Sequence, residues 1–273
     1  MFFIAKQVLT TFFMLFPKGI HRNRAIGLAL IATIIPLSQL FVIRIFSQMI
    51  LHGSKEPLET AVVNFVLFFA LFGLTHLATY WQKTYRVKVF NDALAAKEGW
   101  RSKMTESWEW ALAFETNNLL HTFMQVIVLA SFFTYVSWEV GLINIFLMIL
   151  SLQFIKIMFK KQTTTQEGFA LAQKKNENIS AFTKVGARIK SAEIGILLAN
   201  AGFVISLGVL LAFSYMGSLA AADAIMLFLG FRMQNSNLGQ TSGSLMRFAR
   251  AKALSEAPKK YKNIKPNEDE DFI

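Results

Sequence analysis

Residues 194–215 read IGILLANAGFVISLGVLLAFSY, a run without a charged side chain. At a rise of about 1.5 Å per residue, a helix of this length crosses a hydrocarbon core of about 30 Å. The run lacks the alternation of period two that marks a strand, and in lipid only helices and closed barrels satisfy their backbone. The stretch therefore predicts a transmembrane helix.

Five other apolar runs of similar length lie along the chain. Together the runs predict six transmembrane helices, at about residues 25–51, 61–81, 117–136, 141–158, 194–215 and 217–238. The composition agrees, because 54% of the 273 residues are hydrophobic and 16% are charged, whereas roughly a quarter are charged in a soluble domain. The sequence predicts an all-α integral membrane protein.

The Lys and Arg residues are distributed unevenly about these spans. Most of the 28 precede the first span, follow the sixth, or lie between spans two and three and between spans four and five. Lys55 is on the opposite side, while Arg44 and Arg232 lie within spans. Because positive loops remain cytoplasmic, both termini are predicted in the cytoplasm, in a bacterial inner membrane. The net charge of +11 then suits membrane lipid headgroups rather than nucleic acid.

The two ends of the chain differ from the spans. Residues 1–16 are apolar but too short to cross a membrane, and Pro17 follows them. They predict an interfacial elbow helix over residues 1–17, with its phenylalanines in lipid. These are Phe2, Phe3, Phe12, Phe13 and Phe16. Residues 257–273 are polar, include an acidic run, and predict a disordered cytoplasmic tail.

The predicted connections are short outside and long inside. Two outer turns comprise only residues 137–140 and Met216, whereas the inner segments 82–116 and 159–193 contain long proline-free stretches compatible with helix. We expect the inner segments to form helical arms that extend the spans into the cytoplasm.

Two stretches near the C-terminus resemble a known family. YMGSLAAADAIMLFLG at 215–230 looks like the short outer turn and sixth helix of the ABC exporter transmembrane domain, and SGSLMRFARAKALSE at 242–256 is similar to its small and basic exit. The resemblance covers about residues 1–256. It implies an elbow helix, a six-helix domain over residues 18–256, a homodimeric transporter, and inner arms that contact a nucleotide-binding domain.

The chain carries no ATP-binding motif of its own. A Walker A loop requires Gly-Lys, and no glycine in this sequence is followed by lysine. We therefore expect no catalytic residue and no cofactor in this chain, and ATP hydrolysis by a separate subunit. The resemblance implies that Glu98, Trp100 and Arg101 belong to the coupling segment, the part of the inner arm that contacts the ATPase. The nearby Trp108 and Trp110 are typical of an aromatic belt at the membrane edge.

Two other functions remain open. A more distant resemblance is to SbmA/BacA-type peptide transporters, whose exporter-like membrane domain has no ATPase and is thought to use the proton gradient. The third possibility is a degenerate transporter domain that acts as a membrane interaction protein.

Polar side chains inside the spans predict a substrate pathway, because such residues need water or a partner in the membrane. Arg232, Ser236 and Gln240 share one face of span six. Their predicted neighbours at similar depth are Asn235, Asn200 and His76. Alternatively, Arg232 reaches the inner headgroups and the amides and His76 join helices by hydrogen bonds.

The remaining charged and metal-binding residue types are few. Arg44 is expected to reach the outer headgroups, with an ion pair to Asp223 as the alternative. The absence of cysteine excludes disulfides and thiolate sites. None of the four His residues forms an H-x-x-x-H pair, so no metal site is predicted.

Overall fold

The structure, a computed structural model, describes residues 2–52, 57–96, 103–175, 177 and 179–260. Within these residues the chain forms seven α-helices and no strand. In chain order they are α1 (Phe2–Leu15), α2 (Ile20–His52), α3 (Leu58–Ala95), α4 (Lys103–Val136), α5 (Trp138–Lys174), α6 (Ala181–Tyr215) and α7 (Ala221–Lys260). The predicted all-α class is confirmed.

Helices α2 to α6 are long and apolar enough to cross a membrane. They carry the first five of the six predicted spans. Because each contains a window of high hydropathy with at most two charged residues, the chain has the properties of a multi-pass membrane protein.

Helix α7, which carries the sixth predicted span, is not among the apolar helices of the described chain. It packs against α2, α4, α5 and α6 at the centre of the bundle. Polar residues such as Gln234, Thr241 and Ser242 are buried there against protein. Because much of its circumference contacts protein, this helix can have a more polar composition than its neighbours.

Helix α3 has the opposite environment. It packs mainly against α2, and only 6% of the residues in its most apolar stretch are buried in the protein. Large apolar side chains therefore project from most of its circumference, including Val62, Phe69 and Leu77. In a membrane this helix would face lipid over most of its surface.

The outer turns differ from their predicted limits. Only Ser137 separates α4 from α5, so the predicted turn at 137–140 is too long. After α6 the chain turns at Gly217, whose φ is +73°. The Ser218 backbone N–H donates to the Phe213 carbonyl at 3.1 Å, and that of Gly217 donates to Ser214. This Schellman arrangement ends α6 and delays the start of α7 to Ala221.

Helix α1 packs on protein along one face. Phe12 and Phe16 are 1% exposed, whereas Phe3 and Phe13 are 39% and 50% exposed. The Phe16 ring lies 5.4 Å from that of Phe90 on α3. The prediction that all these phenylalanines lie in lipid is therefore wrong for Phe12 and Phe16, because α1 docks against the bundle by this face.

Helices α3 to α6 continue well past the predicted spans. Helix α3 extends to Ala95, α4 begins at Lys103, α5 extends to Lys174, and α6 begins at Ala181. At the helical rise these extensions each measure about 20 to 24 Å. The extensions fall in the two segments, 82–116 and 159–193, that the sequence predicts as arms.

Candidate polar pathway along α7

One side of α7 is open and polar. Arg232, Ser236, Gln240 and Arg247 are all exposed. Together with Gly243 they recur every three or four residues and therefore lie along one stripe of the helix. The Gln240 Nε2 donates to Ser236 Oγ at 3.4 Å. We call Arg232, Ser236, Gln240, Gly243 and Arg247 the polar face. It runs about 22 Å along the helix.

The polar face is unsuited to contact with lipid. Arg232 makes no hydrogen bond or ion pair within the described part of the chain. An exposed guanidinium, hydroxyl and amide in the membrane each require water or a polar partner. Within a membrane this surface would need an aqueous cavity or another protein against it.

Asn200 and Asn235 lie at the edge of this face. The Asn235 Nδ2 donates to Asn200 Oδ1 at 2.7 Å and so joins α7 to α6. The two asparagines predicted from the sequence as neighbours are thus in direct contact. Asn235 Oδ1 is buried and has no hydrogen-bond partner.

His76 lies on the other flank of α7, on α3. Its ring centroid is 4.5 Å from that of Phe72. His76 lines a cavity of about 220 Å³ with Gln39 of α2 and Met233 of α7. Because Met233 follows Arg232 directly, His76 lies at the same level as Arg232, but the structure gives it no contact with the polar face.

A small pocket, which the sequence did not indicate, lies between α5, α6 and α7. It measures about 20 Å³ and is lined by Asn144, Ser151, Ser206 and Gln234 among other side chains. Asn144 Oδ1 and Gln234 Oε1 are buried without partners. This volume and these acceptors suit one water molecule. Asn144, an amide in the middle of an apolar run, was the signal that could have indicated it.

Small residues bring these three helices together. Gly195, Ala199, Gly202 and Ser206 recur on one side of α6. A Cβ at Gly195 would overlap the side chain of Ser242 on α7, and one at Gly202 would lie 3.2 Å from Ser151 Oγ on α5. Close approach at small residues is a common means of packing membrane helices.

An ion pair joins α2 to the first turn of α7. Arg44 Nε lies 3.0 Å from Asp223 Oδ1, with the side chains 36% and 22% exposed. The expectation that Arg44 reaches the outer headgroups is therefore wrong, and the alternative pairing is correct. Helix packing brings the two residues within reach, and the shielded carboxylate offers a closer counter-ion than a headgroup.

The predicted coupling residues Glu98, Trp100 and Arg101 lie outside the described residues. Of the nearby tryptophans, Trp108 and Trp110 pack against the buried core. The guanidinium of Arg250 lies 5.2 Å above the Trp108 ring. These two indoles therefore take part in internal packing at the inner end of the bundle.

No group of three or more His, Asp and Glu side chains that could hold a metal occurs within the described ranges. No protein-family model matches this chain, and no characterised protein matches it in sequence.

Proposed function

We propose that this chain is the membrane-spanning subunit of an ABC-type transporter and that α7 lines its pathway. The observation that carries the proposal is the polar face, an exposed row of polar side chains on the central helix of an apolar bundle. One chain leaves this face open. A second copy facing the first would enclose it and form a water-filled passage, so the working unit is a homodimer.

In this proposal a separate ATPase subunit drives transport. Helix pairs α3–α4 and α5–α6 continue inward beyond the predicted spans and provide a docking surface for such a subunit. The turn that contains Glu98, Trp100 and Arg101 would make the contact. The proposed orientation has both termini in the cytoplasm, α7 as the sixth span, and the bacterial inner membrane as the location.

The proton-coupled alternative has less support. Proton transport needs a titratable group that is free to change its charge within the membrane. Asp223, the acid in the outer part of α7, is held by Arg44 at 3.0 Å.

Cysteine labelling tests whether the polar face contacts water. The chain has no cysteine, so Ser236→Cys and Gln240→Cys each introduce a single reactive thiol. In inside-out membrane vesicles we expect both to react with a membrane-impermeant maleimide, because thiolates form in water and not in lipid. Leu197→Cys and Val66→Cys are the matched controls, since both side chains are more than 60% exposed on apolar surfaces. We expect these controls to remain unlabelled.

Crosslinking tests the homodimer. If two polar faces oppose each other, an oxidant or a short bifunctional maleimide should produce a covalent dimer of Ser236→Cys but not of Val66→Cys. Absence of both labelling and crosslinking at 236 and 240 would contradict the proposed pathway. Labelling without a crosslinked dimer would retain the aqueous cavity but reject its closure by a second copy.

A further inference from the structure

A cluster of arginines lies at the inner end of the bundle, separate from Arg232. It comprises Arg86 of α3, Arg188 of α6, and Arg247 and Arg250 of α7. We call these four residues the inner arginine cluster. At the helical rise Arg86 lies about 42 Å from the start of α3, and Arg247 about 39 Å from the start of α7. Both therefore lie near the inner membrane boundary.

Helix α4 organises the cluster. Arg247 Nε donates to Glu115 Oε1, and its Nη2 donates to Ser244 Oγ at 2.9 Å. Arg86 Nη1 donates to Asn118 Oδ1 at 3.0 Å. The residues of α4 that contact the arginines are Trp108, Phe114, Glu115 and Asn118.

Arg188 completes the cluster from α6. It has no hydrogen bond or ion pair within the described part of the chain. It is nevertheless close enough to Arg250, Arg247 and Glu115 to interact with their charges. Nearby cations repel one another, and an anion bound among them would relieve that repulsion.

The charges within the cluster do not balance. Arg247 contacts the Glu115 carboxylate, whose side chain is 14% exposed, and Arg86 and Arg188 lie close enough to interact with its charge. Glu115 Oε2 has no hydrogen-bond partner, and neither does Arg86 Nε. The four arginines carry four positive charges, and Glu115 is the carboxylate in direct contact with one of them, Arg247. The site is suited to a ligand that carries more than one negative charge.

We infer that the inner arginine cluster binds a phosphate group at the inner end of the polar face. Guanidinium groups bind phosphate oxygens through paired, charge-assisted hydrogen bonds. Arg247 belongs to both the cluster and the polar face, so the ligand would lie where the pathway opens inward. If the ligand is the transported substrate, the inference rests on the proposed function and identifies the substrate as a phosphate-containing anion. The same chemistry would also hold a phospholipid headgroup.

Glu115 would compete with the ligand. In the empty site it neutralises Arg247, and a bound phosphate would take over that guanidinium. Removing the carboxylate and removing an arginine should therefore change affinity in opposite directions. A surface that attracts phosphate only through its positive charge would also bind less phosphate when an arginine is removed. On such a surface, however, removing a neighbouring lysine would have a similar effect.

Binding can be measured on the full-length chain in two arms. In the first, protein in neutral detergent is titrated with inorganic phosphate at constant ionic strength, with tryptophan fluorescence as the signal because Trp108 contacts Arg250. In the second, phosphatidylglycerol retained by the protein in nanodiscs of mixed lipid is measured by mass spectrometry. A response in the first arm identifies a soluble phosphate ligand, and one in the second alone identifies a headgroup.

We expect Arg188→Gln to weaken binding roughly tenfold, since a hydrogen bond to a charged group is worth about 1.5 kcal/mol or more. Glu115→Gln should strengthen binding several-fold. Lys190→Gln is the matched control, because it removes the same charge from an exposed position two residues along α6. It should leave affinity unchanged.

An equal effect of Arg188→Gln and Lys190→Gln in both arms would overturn the inference, as would binding of neither ligand by the wild-type chain. Weaker binding by Glu115→Gln would also contradict it. Failure of the transporter proposal would be distinguishable, since cysteine labelling reports water along α7 independently of binding here. Binding without labelling would leave the phosphate site intact and reject transport.

Discussion

Gly141→Ala is expected to lower the free energy of unfolding by about 3 kcal/mol, the upper end of the usual cost of overpacking. A Cβ at this position would overlap the backbone of Thr134 as well as its Oγ1. The two residues flank the single-residue connection at Ser137, where α4 meets α5. Because backbone atoms cannot move aside as a side chain does, the ends of the two helices would have to separate. Thermal or denaturant unfolding in detergent would measure the loss.

Two controls identify the cause of this loss. Gly73→Ala and Gly208→Ala make the same change in α3 and α6, where a Cβ would meet nothing within 4 Å. We expect these variants to be neutral or slightly more stable, because alanine favours helix over glycine. The double variant Gly141→Ala with Thr134→Ala should not recover stability, since the overlap with the backbone persists. Recovery, or an equal loss at Gly73, would contradict the explanation.

Asp223→Ala is expected to cost about 3 kcal/mol, the low end for loss of one partner of a buried ion pair, because both side chains retain some exposure. The substitution leaves Arg44 charged about 12 Å from the C-terminal end of α2. No other counter-ion is recorded for Arg44 in the described part of the chain. Unfolding in detergent and expression level in membranes would both measure the effect.

A double-mutant cycle separates the ion pair from other effects. Arg44→Leu with Asp223→Ala should recover most of the stability, because neither charge is then left alone. Glu177→Ala is the comparison, since Glu177 lies 3.8 Å from Lys175 with side chains 51% and 40% exposed. That change should alter stability by less than about 1 kcal/mol. If Asp223→Ala costs no more than Glu177→Ala, the pair does not stabilise the bundle.

The sequence was most informative where a property is local. The apolar runs predicted α2 to α6 because a single polar residue changes the hydropathy summed over about 20 residues only slightly. Helical spacing likewise placed Arg232, Ser236 and Gln240 on one face, since that geometry is the same in every α-helix.

The sequence was less informative at the ends of elements. Hydropathy placed the fourth span from Gly141 and the sixth from Gly217, whereas the helices begin at Trp138 and Ala221. The difference at Gly217 comes from a backbone conformation with positive φ, which glycine permits but does not require. The close contact of Gly141 with Thr134 depends on how two helices meet and has no signal in composition.

By itself, the sequence determined that this chain is helical, apolar and suited to a membrane, because those properties depend on neighbours along the chain. Only the tertiary structure decided which faces are covered. It buried Phe12 and Phe16 in protein, packed four helices against α7 while leaving one side open, and paired Arg44 with Asp223 and Arg247 with Glu115. These contacts join residues far apart in sequence, so the composition of a single segment does not indicate them.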